Sequence, residues 1–91
     1  MGKYEINREK ISWRESDHET VIIHLDTTVY YALNSTGTMI WKLLGERPRT
    51  SEEIIQSLAE HFSMDAHKMS PDIQEHLSGM LDEGLILYSE E

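Results

Sequence analysis

Apolar residues alternate with polar ones early in the chain and later recur every three to four positions, which divides it into a strand-like third and a helical remainder. Lys10–Glu15 sets Ile11 and Trp13 on one face, and Thr20–Asp26 holds the β-branched run Val21-Ile22-Ile23 followed by His24 and Leu25. Ser16–Glu19 is the expected turn between them. Thr28–Leu33 (Thr-Val-Tyr-Tyr-Ala-Leu) forms a third run, separated from the second only by Asp26-Thr27, a turn without Gly or Asn. Three consecutive short strands predict an antiparallel meander, which needs helices over one face to be stable.

The period changes at Asn34. Asn34 or Ser35 caps a first helix in which Met39, Ile40, Leu43 and Leu44 recur, with Gly45 at its end and Pro48 as a stop signal. Thr50-Ser51-Glu52-Glu53 is a capping box that opens a second helix, whose stripe is Ile54, Ile55, Leu58 and Phe62 and whose end falls near Ser63. Ser70-Pro71 reads as the start of a third, serine as cap and proline at the first helical position, followed by Ile73, Leu77, Met80 and Leu81 and closed by Gly84. Leu85–Tyr88 is an extended terminal segment packing back on the core, and Ser89-Glu90-Glu91 a solvated end. The fold class is therefore α+β: a winged helix-turn-helix, three antiparallel strands followed by three helices, in one domain over 1–91.

At 91 residues the chain has room for no second core, and with no cysteine it has neither disulfides nor thiolate metal sites. No apolar run reaches membrane-spanning length and no secretory leader stands at Met1, so the expectation is a cytoplasmic protein without a membrane partner. The net charge of −9 is unevenly placed. Acids and bases cancel over residues 1–49, whereas residues 50–91 carry Glu52, Glu53, Glu60, Asp65, Asp72, Glu75, Asp82, Glu83, Glu90 and Glu91 against Lys68 alone.

That distribution tests the usual role of a winged helix. The helix that would enter a DNA groove carries Asp72, Glu75, Asp82 and Glu83 with no Lys or Arg, whereas such interfaces depend on positive charge for phosphate contacts. Nucleic acid is thereby excluded as a direct partner. Catalysis finds no support either: His18, His24, His61, His67 and His76 show no i, i+4 pairing of a zinc site, and no phosphate loop or nucleophile elbow is present. Asp72 and His76 do share a helix face, but a solvated polar face with an acid near the helix start explains them. Neither metal nor cofactor is expected.

A protein or peptide partner remains, and the third strand offers it a route. Thr28, Val29, Tyr30, Tyr31, Ala32 and Leu33 contain no charge and no proline, the usual guards of an exposed edge. The edge either accepts an added strand or is covered by Leu85–Tyr88. Four backbone hydrogen bonds supply about 2–6 kcal/mol, whereas ordering six backbone residues costs about 6–12 kcal/mol. A bound peptide must therefore also bury at least two apolar side chains, at about 1.5–3 kcal/mol each. The groove between the third strand and third helix is the place for them, with Met80 as an adaptable wall. Gly79 costs helix stability and so implies close approach, of another helix or of a ligand chain.

Tyr30-Tyr31-Ala32-Leu33-Asn34, then Gly37-Thr38-Met39-Ile40-Trp41, Arg49-Thr50-Ser51-Glu52-Glu53-Ile54-Ile55 and Gly84-Leu85-Ile86 together resemble the PqqD-like family over about residues 18–88. Its members are precursor-peptide recognition domains of ribosomally made, modified peptides. The resemblance implies binding of a leader peptide as a strand beside Thr28–Leu33, with Asp72, Glu75, His76 and Met80 as helix-side contacts, no metal and no chemistry. Ile40-Trp41 and the Leu25-Asp26 to Tyr31 hairpin look closest to the stand-alone members of lasso-peptide clusters, which implies a leader peptidase and a macrolactam-forming enzyme as further partners. The alternatives are a chaperone presenting a precursor to a radical SAM enzyme, as in pyrroloquinoline quinone synthesis, and an acidic winged-helix protein of transcription.

Overall fold

The structure, a computed structural model, describes residues 2–90. Its elements are β1 (Gly2–Ile6), β2 (Ile11–Glu15), β3 (Thr20–His24), β4 (Tyr30–Leu33), α1 (Ser35–Glu46), α2 (Ser51–Phe62), α3 (Ala66–Asp82) and β5 (Ile86–Glu90). Strands β2, β3 and β4 form the expected antiparallel meander, and the three helices follow it.

The meander is packed on one side. Ile11 and Ile22 are buried, and Ile22 lies opposite Tyr31 while Thr20 lies opposite Leu33, so the core face of β4 carries Tyr31 and Leu33. Helix α1 meets this face with Ile40, Trp41 and Leu44, all but inaccessible, and Trp41 packs edge-on against Trp13 at 5.5 Å between ring centroids. Thr38, absent from the predicted stripe, is fully buried and accepts a hydrogen bond from Thr20 Oγ1 at 3.0 Å. Ile54 and Leu58 of α2 and Ile73, Leu77 and Met80 of α3 complete the same core.

The caps explain most helix limits. Asn34 accepts from the Gly37 N–H at 3.0 Å, and the Thr50–Glu53 capping box is formed in both directions. Helix α2 ends at Ser63 in the left-handed region (φ 53°), as its pattern predicts, although Phe62 at its last turn is exposed rather than part of the buried stripe. Gly45 does not end α1; it lies within the last turn, and Arg47 is the cap. Gly84 does close α3: with φ 75° it lets Leu85 donate to Met80 O and Gly84 to Leu81 O, a Schellman ending.

Further expectations are corrected. The third helix starts at Ala66, capped by Asp65, which accepts from the His67 N–H at 2.8 Å, so Ser70 is no cap and Pro71 lies inside the helix. Burial of Met69 accounts for the added turn, offsetting the hydrogen bond that proline cannot donate. The β3–β4 connection is a four-residue turn, Leu25–Thr28, rather than Asp26-Thr27: His24 N donates to Val29 O at 3.0 Å and Thr28 N to His24 O at 2.7 Å. Thr28 adopts φ 58°, so the strand begins at Tyr30 rather than at Thr28. Finally, β1 was not anticipated, and it pairs with β5 from Gly2↔Glu90 to Ile6↔Ile86. Ser89 and Glu90 therefore belong to a strand rather than to a solvated end, of which Glu91 lies outside the described residues.

Candidate functional site

The pairing of β5 with β1 decides what becomes of the meander's last strand. The terminal segment is committed elsewhere, β4 has β3 as its one partner strand among the described residues, and its other side is an open edge. His24 N donates to Val29 O across the end of the ladder, and antiparallel ladders alternate, so in this register Tyr31 and Leu33 direct their N–H and C=O groups into β3. Tyr30 and Ala32 therefore present theirs outward, two donors and two acceptors in a row.

A groove of about 560 Å3 runs between this edge and α3. Tyr30, Tyr31, Ala32 and Leu33 line one side; Glu75, His76, Gly79, Met80, Asp82 and Glu83 line the other, with Leu85 between. Met80 and Leu85 are buried, whereas the helix's carboxylates are exposed. The site thus combines an apolar floor, a rim of acceptor-only carboxylates and an unpaired strand edge.

Tyr31 spans the groove. Its phenol donates to Glu83 Oε2 at 2.8 Å, linking β4 to the end of α3. That bond, followed by burial and by the Glu83 charge, holds the phenol above its ordinary pKa, because each favours the protonated form.

The sequence-derived residues divide into those the groove gathers and those it does not. Tyr30, Tyr31, Ala32, Leu33, Glu75, His76 and Met80 line it. Thr28 lies in the turn and Val29 just before β4, and neither lines it. Asp72 lies outside as well, exposed on the preceding turn of α3, with Oδ2 4.0 Å from His76 Nε2. Asp82, Glu83 and Leu85 line the groove in addition to the residues expected from the sequence; Asp82 and Glu83 stand three and four positions after Gly79, the spacing that places residues on one helix face. No helix packs against Gly79: a Cβ built there meets nothing within 4 Å. A glycine in that position costs about 1 kcal/mol relative to alanine, and core packing does not require it.

On the opposite side of the meander the residues facing out from β3 and β4 are Val21, Ile23, Tyr30 and Ala32, in cross-strand rows with Arg14 and Ser12. Val21 and Tyr30 are 41% and 69% exposed. Among the described residues no group of three or more His, Cys, Asp or Glu side chains is placed to hold a metal ion, and no helix is long and apolar enough to cross a membrane.

The family model for Coenzyme PQQ synthesis protein D matches residues 19–86. The chain belongs to the PqqD family. No curated protein matches it significantly. Among solved structures, it is similar to TbiB1, determined in complex with the TbiA(beta) leader peptide: TM-score 0.81, 28% identity, covering 90% of this chain and 93% of that one. A lasso peptide synthetase B1 complexed with the leader peptide shares the fold at TM-score 0.75 and 21% identity, over 92% of this chain and 96% of that one. PqqD membership agrees with the resemblance carried by the Tyr30–Asn34 and Gly37–Trp41 segments.

Proposed function

We propose that this PqqD-family chain is a non-catalytic adaptor that binds the leader segment of a ribosomally made precursor peptide as an added strand on β4 and delivers it to modifying enzymes. The single observation that carries this reading is the open edge of β4 above an apolar groove. The outward N–H and C=O groups of Tyr30 and Ala32 supply the four backbone hydrogen bonds. Leader side chains pointing toward the core side enter the groove against Leu33, Met80 and Leu85, supplying the burial that backbone pairing lacks. Glu75 and His76 contact the leader from α3, whereas Asp72 acts at most through His76.

The similarity to TbiB1, whose structure holds a leader peptide, supports the ligand class. A lasso-type leader peptidase and macrolactam-forming enzyme are the proposed recipients. The match to the Coenzyme PQQ synthesis protein D model favours a second reading, presentation of a precursor to a radical SAM enzyme. Reconstitution separates them: the precursor is cleaved after its leader in the first case and modified with the leader still attached in the second.

Proline substitution tests the binding mode. Tyr30→Pro and Ala32→Pro each remove an outward donor while leaving the β3 ladder intact. Both variants, with circular dichroism of the unaltered protein, should lose affinity for the leader by about tenfold or more. Full affinity in either folded variant refutes strand addition.

A further inference from the structure

We infer that Gly79 is a specificity-determining residue: the space above it is a notch for one long basic side chain, arginine or lysine, of the bound peptide. This rests on the strand-addition reading above and extends it from backbone pairing to side-chain choice.

Gly79 occupies the middle of the groove wall, exposed, with open space where a side chain would stand. The neighbours one turn before it are Glu75 and His76, and those one turn after it are Asp82 and Glu83. All four line the groove, so the missing side chain leaves a gap between two walls of a helix face. The floor beside it is Met80, 4% exposed. Across the groove stands Tyr31, tied to Glu83.

The chemistry of the gap selects its occupant. An aliphatic stem packs on Met80 and on the bare helix backbone, and a cationic tip meets carboxylates, which only accept hydrogen bonds. Neither Lys nor Arg lines the groove to compete for them. Arginine is favoured over lysine, because its planar guanidinium engages a carboxylate through two bonds and stacks on a tyrosine ring. An acidic side chain at the same place is repelled.

The test pans a display library of random dodecapeptides on wild-type protein, Gly79→Leu, Tyr30→Pro and Ala32→Pro. Leucine is the better helix former, so Gly79→Leu stays folded, as a thermal melt verifies. Wild-type protein should enrich alternating apolar residues with Arg or Lys at one fixed offset. On Gly79→Leu the apolar pattern should persist while that offset turns to small residues, and a wild-type-selected basic peptide should bind about tenfold more weakly. The notch is overturned by wild-type peptides lacking a basic residue there, or by the same residue emerging on both proteins. Enrichment that survives both proline variants, or no enrichment on wild-type protein, refutes strand addition itself and the notch with it.

Discussion

The hydroxyl of Tyr31 donates to the Glu83 carboxylate at 2.8 Å and so fastens the open-edged strand β4 to the C-terminal end of α3. The two residues are 52 positions apart in sequence, and their bond ties one groove wall to the other. Spectrophotometric titration reports on it directly. Tyr31 and Tyr88 both titrate above the ordinary tyrosine value, the latter because Tyr88 donates to Glu90. Tyr31→Phe should remove one of these two late-titrating phenols and leave the other. An unchanged late phase would show that the bond is not formed in solution.

The capping box of α2 gives stability a pH dependence. Glu53 accepts from the Thr50 backbone N–H at 2.9 Å, which lowers its pKa; burial opposes the shift, and Arg47 at 3.2 Å adds to the lowering. A carboxyl depressed in the folded state contributes stability above its unfolded pKa, and that contribution is lost as pH falls through the folded value. Glu53→Gln should therefore destabilise the protein at neutral pH, and the gap should close in acid. Urea denaturation of both proteins across that range checks it; a gap independent of pH contradicts the assignment.

Thr20 and Thr38 join β3 to α1 through a fully buried hydroxyl pair at 3.0 Å. Thr38→Val leaves the Thr20 hydroxyl without its partner and should cost about 1–3 kcal/mol. Replacing both by valine should cost less than the sum of the single changes. Additive losses in chemical denaturation would mean that the pair is not coupled.

Gly79 is retained at a cost to the helix. Gly79→Ala adds a methyl group into open space and should stabilise the protein by about 1 kcal/mol. For a domain of this length that corresponds to a melting temperature about 4–8 °C higher. A lower melting temperature would reveal packing at this position that the structure does not contain.

The meander, the three helices and the groove were legible because each rests on local signals: β-branched runs, the Asn34 and Thr50 caps, and the helical spacing of Ile73, Leu77 and Met80. The departures have other causes. Strand β1 finds its partner eighty or more positions away, in Ile86–Glu90, and Tyr4 and Ile6 alone mark its pattern. Ser70-Pro71 imitates a helix start so well that the true cap, Asp65, is overlooked, because burial of Met69 is a tertiary fact. Among the acids of α3, Asp72 stands one turn too early for the groove, whereas Asp82 and Glu83 reach it at the helix's end. Thr28 was misplaced because a β-branched residue seldom adopts a positive φ. Which backbone groups of β4 face outward required the register with β3.

Residue-resolved amide hydrogen exchange, with and without saturating leader peptide, tests the central claim most directly. In the free protein the Tyr31 and Leu33 amides should exchange slowly and those of Tyr30 and Ala32 fast; on peptide addition the Tyr30 and Ala32 amides should become protected. If both still exchange fast when the peptide is bound, the leader does not pair with this strand.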